Sequence, residues 1–372
     1  MALYPPPALL TANPLIQQAA VLSLIPIKSR HNLGSLAKFE VAILLMPLMV
    51  GVVSTTRSRA LRVADIWAIG AIISAAVATA DMIGITHISR TVLGLPYSSS
   101  RQSGLTLQPN HLALACALVL PLVVMWLTRS RSWRIGGVVG ITLLVLGIYA
   151  SRSRGAEALA PFAVAFGFVV APQLRPRLIA FAPALALFAI LALLTSTGVL
   201  GDILHNARLT SNPTSVAISD LQRTEVLSYS VRAFEARPVT GVGYTVIDDA
   251  HDIYIQLLAA GGVVGLGSFV VMMIGAFGLV RRLWRSPDQL HAAALGAGLV
   301  VWMLDGIFEN QITDRYLYVP IAVLVALVGL QTVGAKRPSE RYNPAGARGG
   351  SGGRRGAPDF AALSAGEPIP RA

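Results

Sequence analysis

The ionisable residues best suited to chemistry in this sequence stand together, just before a long apolar run. Asp248, Asp249, His251 and Asp252 are followed directly by the stretch IYIQLLAAGGVVGLGSFVV. Histidine has an unperturbed pKa of about 6.5, so an imidazole can take a proton from a substrate near neutral pH. Carboxylates are also the ligands that hard divalent cations prefer. The cluster therefore fits three interpretations: a general base, a cation site, or a helix-capping turn in which the histidine is incidental.

The same cluster predicts where the following helix begins. Asp249 has the residue type of an N-cap, and Asp252 stands three residues later as a capping-box partner. On this prediction His251 lies in the first helical turn. A helix N-terminus disfavours a charged imidazolium, whereas nearby carboxylates favour it, so the sequence leaves the charge state open.

Arginines form a second group, in the short turn Ser151-Arg152-Ser153-Arg154-Gly155 between two apolar runs. The guanidinium is a planar fork that matches phosphate oxygens. It can also reach from a helix end to lipid headgroups. The turn is therefore either a fixed anion site or a headgroup contact.

A third feature is the segment 199–251, which carries ISDLQRTEVLSYSVRAFEARPVTGVGY. Its apolar residues have helical spacing and are followed by a Pro/Gly break, which predicts an amphipathic helix lying along the membrane surface. Arg223 and Arg232 fall on the polar side of that helix, where they either face solvent or line a cavity beneath it. The apolar positions are Leu221, Val226, Leu227, Val231 and Phe234.

The elements that must position these residues are membrane-spanning helices. Of the 372 residues 54% are hydrophobic and 13% are charged, and the mean hydropathy is +0.64. A soluble domain is usually about 25% charged. The apolar residues come in blocks of roughly 17–22, the length of a helix that crosses a bilayer. We predict an all-α polytopic fold with about ten spans.

The predicted transmembrane domain covers residues 1–334, with one large outer loop at 199–251. Short connections rich in arginine mark the cytoplasmic side, which places His251, Arg152 and Arg154 at the outer face of the membrane. The predicted spans lie near residues 8–27, 39–54, 65–85, 109–128, 134–150, 155–172, 177–198, 252–280, 289–307 and 316–334. The predicted cytoplasmic connections are 55–64, 129–133, 173–176 and 281–288.

Several classes of function are excluded by composition. The formal net charge of +12 resides largely in those short connections and in the tail, so we do not expect nucleic-acid binding. One cysteine, Cys116, permits neither an internal disulfide nor a cysteine metal site. Residues 335–372, rich in Gly, Pro and Arg, are predicted to be a disordered basic cytoplasmic tail. The N-terminus lacks a basic start before its apolar stretch, so no cleaved signal peptide is expected.

Four glycines early in the apolar run after His251 could be mistaken for a dinucleotide-binding loop. They follow no predicted strand and lie within a span, so we expect them to allow close packing between helices. They are Gly261, Gly262, Gly265 and Gly267.

These stretches resemble the O-antigen ligase and polymerase superfamily. His251, the polar Asp252, nine further residues and then Gly262-Val263-Val264-Gly265 are similar to the ligase signature of His, a polar residue, nine positions and Gly-x-x-Gly. The stretch from Arg223 to RPVTGVG, which contains Gly241 and Gly243, resembles the family's Arg-containing outer loop. Ser153-Arg154-Gly155-Ala156 and Gln108-Pro109-Asn110 resemble two further family stretches. The four occur in the family's order over about residues 104–330.

The resemblance implies a metal-independent glycosyltransferase without a cofactor. Its donor is a glycan on a polyprenyl diphosphate carrier, and its acceptor is a hydroxyl of a glycan, lipid or protein at the outer face. The resemblance assigns His251 as the base and Arg154 and Arg223 as diphosphate ligands, supported by Arg152. Membrane lipid surrounds the helices. Ligase and polymerase share these motifs, so the sequence leaves that choice, the sugar and the acceptor open.

One departure and two rival functions remain. The second signature position is usually Asn, Ser or Gln, and Asp252 either makes His251 more basic or replaces an amide that orients an acceptor. A transporter or flippase would use Asp81, Asp305 or Glu309 at membrane depth and would need broken helices around a midplane site. A non-catalytic partner of a glycan-assembly machine would tolerate replacement of His251.

Overall fold

The computed structural model describes residues 41–92, 101–153, 155–157, 159–160, 165, 226–243 and 250–336. Regular structure in these residues is helical throughout, and none of them lies in a β-strand, which agrees with the predicted all-α fold. The chain divides into two compact units, residues 1–331 and 332–372. The second unit is described as far as Lys336, where the last helix ends.

Helix boundaries follow local sequence signals. Thr56 precedes α2 and its hydroxyl accepts a hydrogen bond from the amide of Arg59 at 3.4 Å, while Pro109 opens α4, where a missing N–H costs nothing. The helices are α1 (Met46–Val53, after a π-helical turn Val41–Leu45), α2 (Arg57–Met82), α3 (Ile88–Thr91), α4 (Pro109–Trp126), α5 (Arg131–Ser151), α6 (described over 226–236), α7 (Ile253–Leu283), α8 (Gln289–Asp305) and, after a 3-10 turn Arg315–Tyr318, α9 (Val319–Lys336).

Five helical segments in the described residues are long and apolar enough to cross a membrane. They are α2, α4, α5, α7 and the segment Arg315–Val333. Two shorter apolar helices, Ile43–Val53 and Gln289–Asp305, match the predicted spans 39–54 and 289–307. The predicted spans 8–27 and 177–198 lie outside the described residues, as does most of 155–172. The protein is therefore a multi-pass membrane protein, and the count of ten spans stays a prediction.

The centre of the bundle is α4, whose residues 112–126 are all buried. It packs against α2, α5 and α8, and α2 also packs against α5. Small residues allow these close approaches: a Cβ placed on Gly147 of α5 would lie 2.6 Å from the Cβ of Ala75 on α2. In a membrane, such close backbone approach replaces the hydrophobic driving force of a soluble core.

The bundle has two chemically different ends. At one end Arg57 pairs with Asp288 at 2.5 Å, and Arg129 pairs with Asp65 at 2.8 Å. Trp126 also donates its indole N–H to Asp65 at 2.8 Å. We call this the arginine end. It holds the described residues of the predicted cytoplasmic connections, because α2 and α5 begin there and α4 and α7 end there.

The opposite end is called here the site end. It holds the C-terminal ends of α2, α5 and α8, the start of α4 and α7, and the turn 306–314. His251, Arg152 and Gly155 of the Ser-Arg-Gly turn all belong to it. The sequence prediction that the histidine and the arginines meet at the outer face stays a prediction, because Arg154 and Arg223 lie outside the described residues.

Candidate functional site

His251 lies just before α7, in a left-handed backbone conformation with φ 52°. The N-cap of α7 is Asp252, whose Oδ1 accepts a hydrogen bond from the amide of Ile255 at 2.9 Å. The prediction that Asp249 caps the helix and that His251 lies in its first turn is therefore wrong. The physical reason is that a left-handed residue cannot continue a right-handed helix, while Asp252 is placed to satisfy the first exposed amides.

The backbone around His251 is held from both sides. The amide of Ala250 donates to Oε1 of the buried Gln256 at 2.9 Å. The amide of Ile253 donates to the carbonyl of Gly306 at 2.7 Å, and the Tyr254 hydroxyl donates to the carbonyl of Met303 at 2.6 Å. His251 is therefore held between a bond from Ala250 to α7 on one side and bonds from Ile253 and Tyr254 to the end of α8 on the other.

A carboxylate from the turn after α8 approaches the imidazole. Oε2 of Glu309 lies 3.8 Å from Nδ1 of His251, and the Nδ1 atom is buried although 31% of the side chain is exposed. The Asn110 amide donates to Oε1 of Glu309. Arg101 donates to Oδ1 of Asn110 and, through Nε, to the carbonyl of Ser151 at 3.0 Å. A continuous polar chain therefore runs from His251 to the C-terminal end of α5.

Arg152 stands next to Ser151, at the end of that chain. Like His251, it has a left-handed backbone, with φ 52° and ψ 41°, and it ends α5. The following turn lies against α8, because a Cβ placed on Gly155 would be 3.2 Å from Oδ1 of Asp305. The segment 305–309 thus contacts both the Ser-Arg-Gly turn and His251. Arg154 itself lies outside the described residues.

Two of the predicted site residues, Arg152 and His251, have a left-handed backbone conformation. Arg152 and His251 are the two non-glycine residues with positive φ in the part of the chain that the structure describes. For an ordinary L-residue this conformation costs roughly 1–2 kcal/mol. Strain of this size persists where the surroundings enforce it, and it concentrates at functional sites.

The two glycine motifs of the sequence meet at a break in α7. Gly262 has φ 64° and ψ −162°, which interrupts the helix. The amides of Val263 and Val264, which would bond to residues 259 and 260 in a continuous helix, donate instead to the carbonyls of Pro238 at 2.8 Å and Val239 at 3.3 Å. The carbonyls left over, those of residues 259 and 260, accept from the amides of residues 242 and 243 at 2.9 and 3.0 Å. The segment 238–243 therefore completes the hydrogen bonding of the broken helix.

Two of these glycines have close contacts other than the predicted packing against a second helix. A Cβ on Gly262 would overlap the carbonyl of Val239 and lie 2.6 Å from that of Pro238, and a Cβ on Gly265 would lie 3.0 Å from the carbonyl of Leu257 in the same helix. On Gly261 and Gly267 a Cβ would meet no atom of the described residues within 4 Å, so for these two the packing stays a prediction.

The outer-loop motif is constrained in the same way. Gly241 has φ 65°, and a Cβ there would overlap the carbonyl of Ala260, while Gly243 has φ 101°. The family-like Gly-x-Gly and Gly-x-x-Gly stretches are therefore the two sides of one backbone junction.

Helix α6 continues into that junction. Its buried face, formed by Tyr229, Ser230 and Ala233, packs beside Val242 and Ala259, and burial raises the pKa of the Tyr229 phenol. Leu227 and Val231 are 38% and 41% exposed, so the opposite side also carries apolar residues, while Arg232 is exposed. The predicted helix is present over 226–236; Arg223, the other predicted diphosphate ligand, lies just outside the described residues.

Sequence reasoning missed the residues that surround His251. Glu309 was weighed as a transporter residue, Asn110 was noted as part of a weak motif, and Arg101 was not singled out. A second imidazole was missed too: Nδ1 of His111 lies 3.0 Å from Oδ2 of Asp314. The signal available in the sequence was a polar residue near the end of an apolar span. Such a residue does not indicate which other residue it contacts.

The cation interpretation rests on residues that the structure describes only in part. Asp248 and Asp249 lie outside the described residues, and the carboxylate of Asp252 is engaged in capping α7. Within the described ranges, no three His, Cys, Asp or Glu side chains group closely enough to hold a metal ion.

Fold and site together define a multi-pass helical membrane protein with an ionisable network at one end of its bundle. The O-antigen ligase family matches residues 116–270, which include His251, Asp252 and both glycine motifs. This match confirms the resemblance to the O-antigen ligase and polymerase superfamily, whose activity belongs to cell-surface polysaccharide biosynthesis. Comparison with curated proteins gives no match.

Proposed function

We propose that this protein transfers or polymerises a glycan from a polyprenyl diphosphate carrier onto an acceptor hydroxyl, without a metal ion. The reaction takes place at the outer face of a bacterial plasma membrane. His251 is the base, and Arg154 and Arg223 hold the diphosphate with support from Arg152. The family match supports the class of reaction, and the structure at the site end supports the role of the histidine.

The chemistry requires few protein groups. His251 takes the proton of the acceptor hydroxyl while its oxygen attacks the anomeric carbon of the donor sugar. The bond from that carbon to the diphosphate oxygen breaks, and the carrier diphosphate leaves with the electron pair. Guanidinium groups neutralise the charge that develops on it. The proton on His251 then passes to solvent or to the departing diphosphate.

The placement of His251 is the observation that carries the proposal. Its strained backbone is fixed on both sides, its Nδ1 is buried near Glu309, and 31% of its side chain is exposed at the site end. A histidine that merely caps a helix needs neither the strain nor the buried carboxylate. Arg152 lies beside this network, because it directly follows Ser151. The Ser151 carbonyl accepts a hydrogen bond from Arg101.

The outer location follows from charge asymmetry. Short arginine-rich connections favour the cytoplasm, so the arginine end of the bundle is assigned to that side. The site end then faces outward. A donor on a long prenyl chain suits such a site, because its tail can stay in the membrane while its glycan projects into water.

The break in α7 does not favour the transporter alternative. Broken helices of transporters leave carbonyls and helix ends available to bind substrate or ions. Here the carbonyls of Ala259 and Ala260 accept hydrogen bonds from the segment 238–243. The carboxylate of Asp81, another candidate for transport, accepts hydrogen bonds from Ser89, Thr86 and the amide of Ile88.

Gene deletion with chemical analysis of surface glycans and lipid-linked intermediates tests the proposal. Loss of one polymer with accumulation of its carrier-bound precursor is expected. Single repeat units on the carrier indicate a polymerase, and long chains on the carrier indicate a ligase. Intact surface glycans with lost solute flux in vesicles would decide for a transporter.

Complementation of the deletion strain tests the base. We expect His251→Gln to leave the precursor on its carrier and His87→Gln to restore the polymer, because His87 is exposed and precedes the short helix α3. Restoration by His251→Gln at normal protein levels would refute the assigned chemistry and favour a non-catalytic role.

A further inference from the structure

Glu309 occupies a position that neither the family match nor the sequence motifs assign. We propose that it is a positioning residue for His251, and that Asn110 and Arg101 hold its carboxylate in place. This inference rests on the proposed function, in which His251 is the base. Glu309, Asn110 and Arg101 all lie outside the matched residues 116–270.

The two carboxylate oxygens of Glu309 have different neighbours. Oε1 accepts a hydrogen bond from the Asn110 amide, which leaves Oε2 as the oxygen nearest to Nδ1 of His251, at 3.8 Å. The Glu309 side chain is only 11% exposed, so water screens the electrostatic interaction between Glu309 and His251 only weakly. A buried carboxylate is costly unless charge or hydrogen bonding compensates it, and the Asn110 amide supplies a hydrogen bond.

The orientation of Asn110 is fixed in turn by Arg101. The guanidinium of Arg101 is a pure donor, so the Asn110 atom that it contacts must be the carbonyl oxygen. The amide nitrogen of Asn110 then faces Glu309 as a donor, which matches an ionised carboxylate. Arg101 is itself anchored on the carbonyl of Ser151 at 3.0 Å. Donor and acceptor roles along the chain therefore all agree with a negative charge on Glu309.

A negative charge beside Nδ1 prepares the other nitrogen for proton transfer. It favours the tautomer that carries hydrogen on Nδ1, so Nε2 keeps the lone pair that accepts a proton. It also stabilises the imidazolium formed when His251 takes that proton. Because Nδ1 is buried while the side chain is 31% exposed, the accessible part of the ring lies on its other atoms.

Other charged groups face the same region and bear on its titration. On the side of α7, Asp252 is adjacent in sequence but its Oδ1 caps the helix. On α8, Asp305 is buried beside Gly155. At the start of α4, His111 is paired with Asp314 at 3.0 Å, and Arg152 ends α5. The pair of His111 and Asp314 is a second histidine–carboxylate pair in the same protein and supplies a matched control.

Histidine titration tests the inference without any substrate. The full-length protein in detergent micelles is labelled with ¹³C at the imidazole Cε1, and the His251 signal is assigned as the one missing from His251→Gln. We expect Glu309→Gln, which keeps the size and the acceptor for Asn110, to lower the titration midpoint of His251 by about one pH unit. Glu309→Asp is expected to recover part of that shift. Asp314→Asn, which alters the other histidine–carboxylate pair, is expected to leave the titration midpoint of His251 unchanged.

Complementation of the deletion strain supplies the second readout. Accumulation of carrier-bound glycan with Glu309→Gln, together with a lowered midpoint and partial recovery by Glu309→Asp, supports the inference. An unchanged His251 midpoint in correctly folded Glu309→Gln overturns it, even if His251→Gln abolishes transfer and so upholds the proposed function. A lowered midpoint with normal transfer in both Glu309→Gln and His251→Gln overturns the proposed function and, with it, the positioning role, although the pairing itself stands.

Discussion

Replacement of Gly262 by alanine tests the junction between the segment 238–243 and α7. The added Cβ would overlap the carbonyl of Val239, and the backbone, with φ 64° and ψ −162°, lies in a region that essentially only glycine adopts. Either the strained conformation persists, or α7 becomes continuous and expels the segment 238–243.

The structure sets the cost of both outcomes. Keeping the conformation costs roughly 1–3 kcal/mol in backbone strain, before any overlap is counted. A continuous α7 regains the two intrahelical bonds to residues 259 and 260 but loses the four bonds to the segment 238–243. The net loss is two hydrogen bonds, each worth about 1 kcal/mol. We therefore expect destabilisation of about 2 kcal/mol by whichever route is cheaper.

Gly267→Ala in the same helix is the matched control. A Cβ on Gly267 meets nothing within 4 Å, and alanine favours a helix by about 1 kcal/mol over glycine. Thermal unfolding of both variants in detergent, with limited proteolysis of the outer loop, measures the difference. Gly262→Ala should unfold several degrees lower, expose the loop to protease and reduce glycan transfer.

The refuting result is plain. If Gly262→Ala matches Gly267→Ala in thermal stability, proteolysis and transfer, the segment 238–243 does not depend on the break in α7. The view that the two glycine motifs form one junction would then fail.

Four further predictions concern separate parts of the molecule. Arg152→Gly should raise stability by about 1 kcal/mol by relieving the left-handed backbone, while transfer falls; Arg152→Lys, which keeps the strain, should show no such gain in a melting assay. Asp252→Ala should lose about 1 kcal/mol of stability and Asp252→Asn should lose little, because both carboxylate and amide cap a helix; equal losses in thermal unfolding would count against the cap. Asp65→Asn should cost about 2 kcal/mol by leaving the partly exposed Arg129 without its charge partner, and an unaltered melting temperature would contradict this. Glycan transfer in isolated membranes should persist in excess chelator; activity that disappears and returns with Mn²⁺ or Mg²⁺ would restore the cation interpretation.

The capping role of Asp252 bears on its departure from the family pattern of Asn, Ser or Gln. Asn and Ser are strong N-cap residues, and so is Asp, whereas Gln is not. A requirement for capping is therefore met by Asp252 and by two of the three usual residues. Sequence comparison alone could not reveal this requirement, because the cap position was predicted three residues too early.

Composition and local pattern were sufficient for the class of fold. A bilayer requires helices of a certain length, so the lengths of the apolar blocks predicted α2, α4, α5, α7 and α9. These are one-dimensional constraints, which a sequence displays directly.

Only the tertiary structure decided which groups meet. Asn110 and Glu309 are 199 residues apart in sequence, and neither position is marked by a periodicity or spacing that would name the other. The break at Gly262 was equally hidden, because a glycine in an apolar run fits close helix packing as well as a junction with a distant loop. Contacts between distant segments arise when the whole bundle packs, and the pairing of backbone groups and buried charges then follows from that packing.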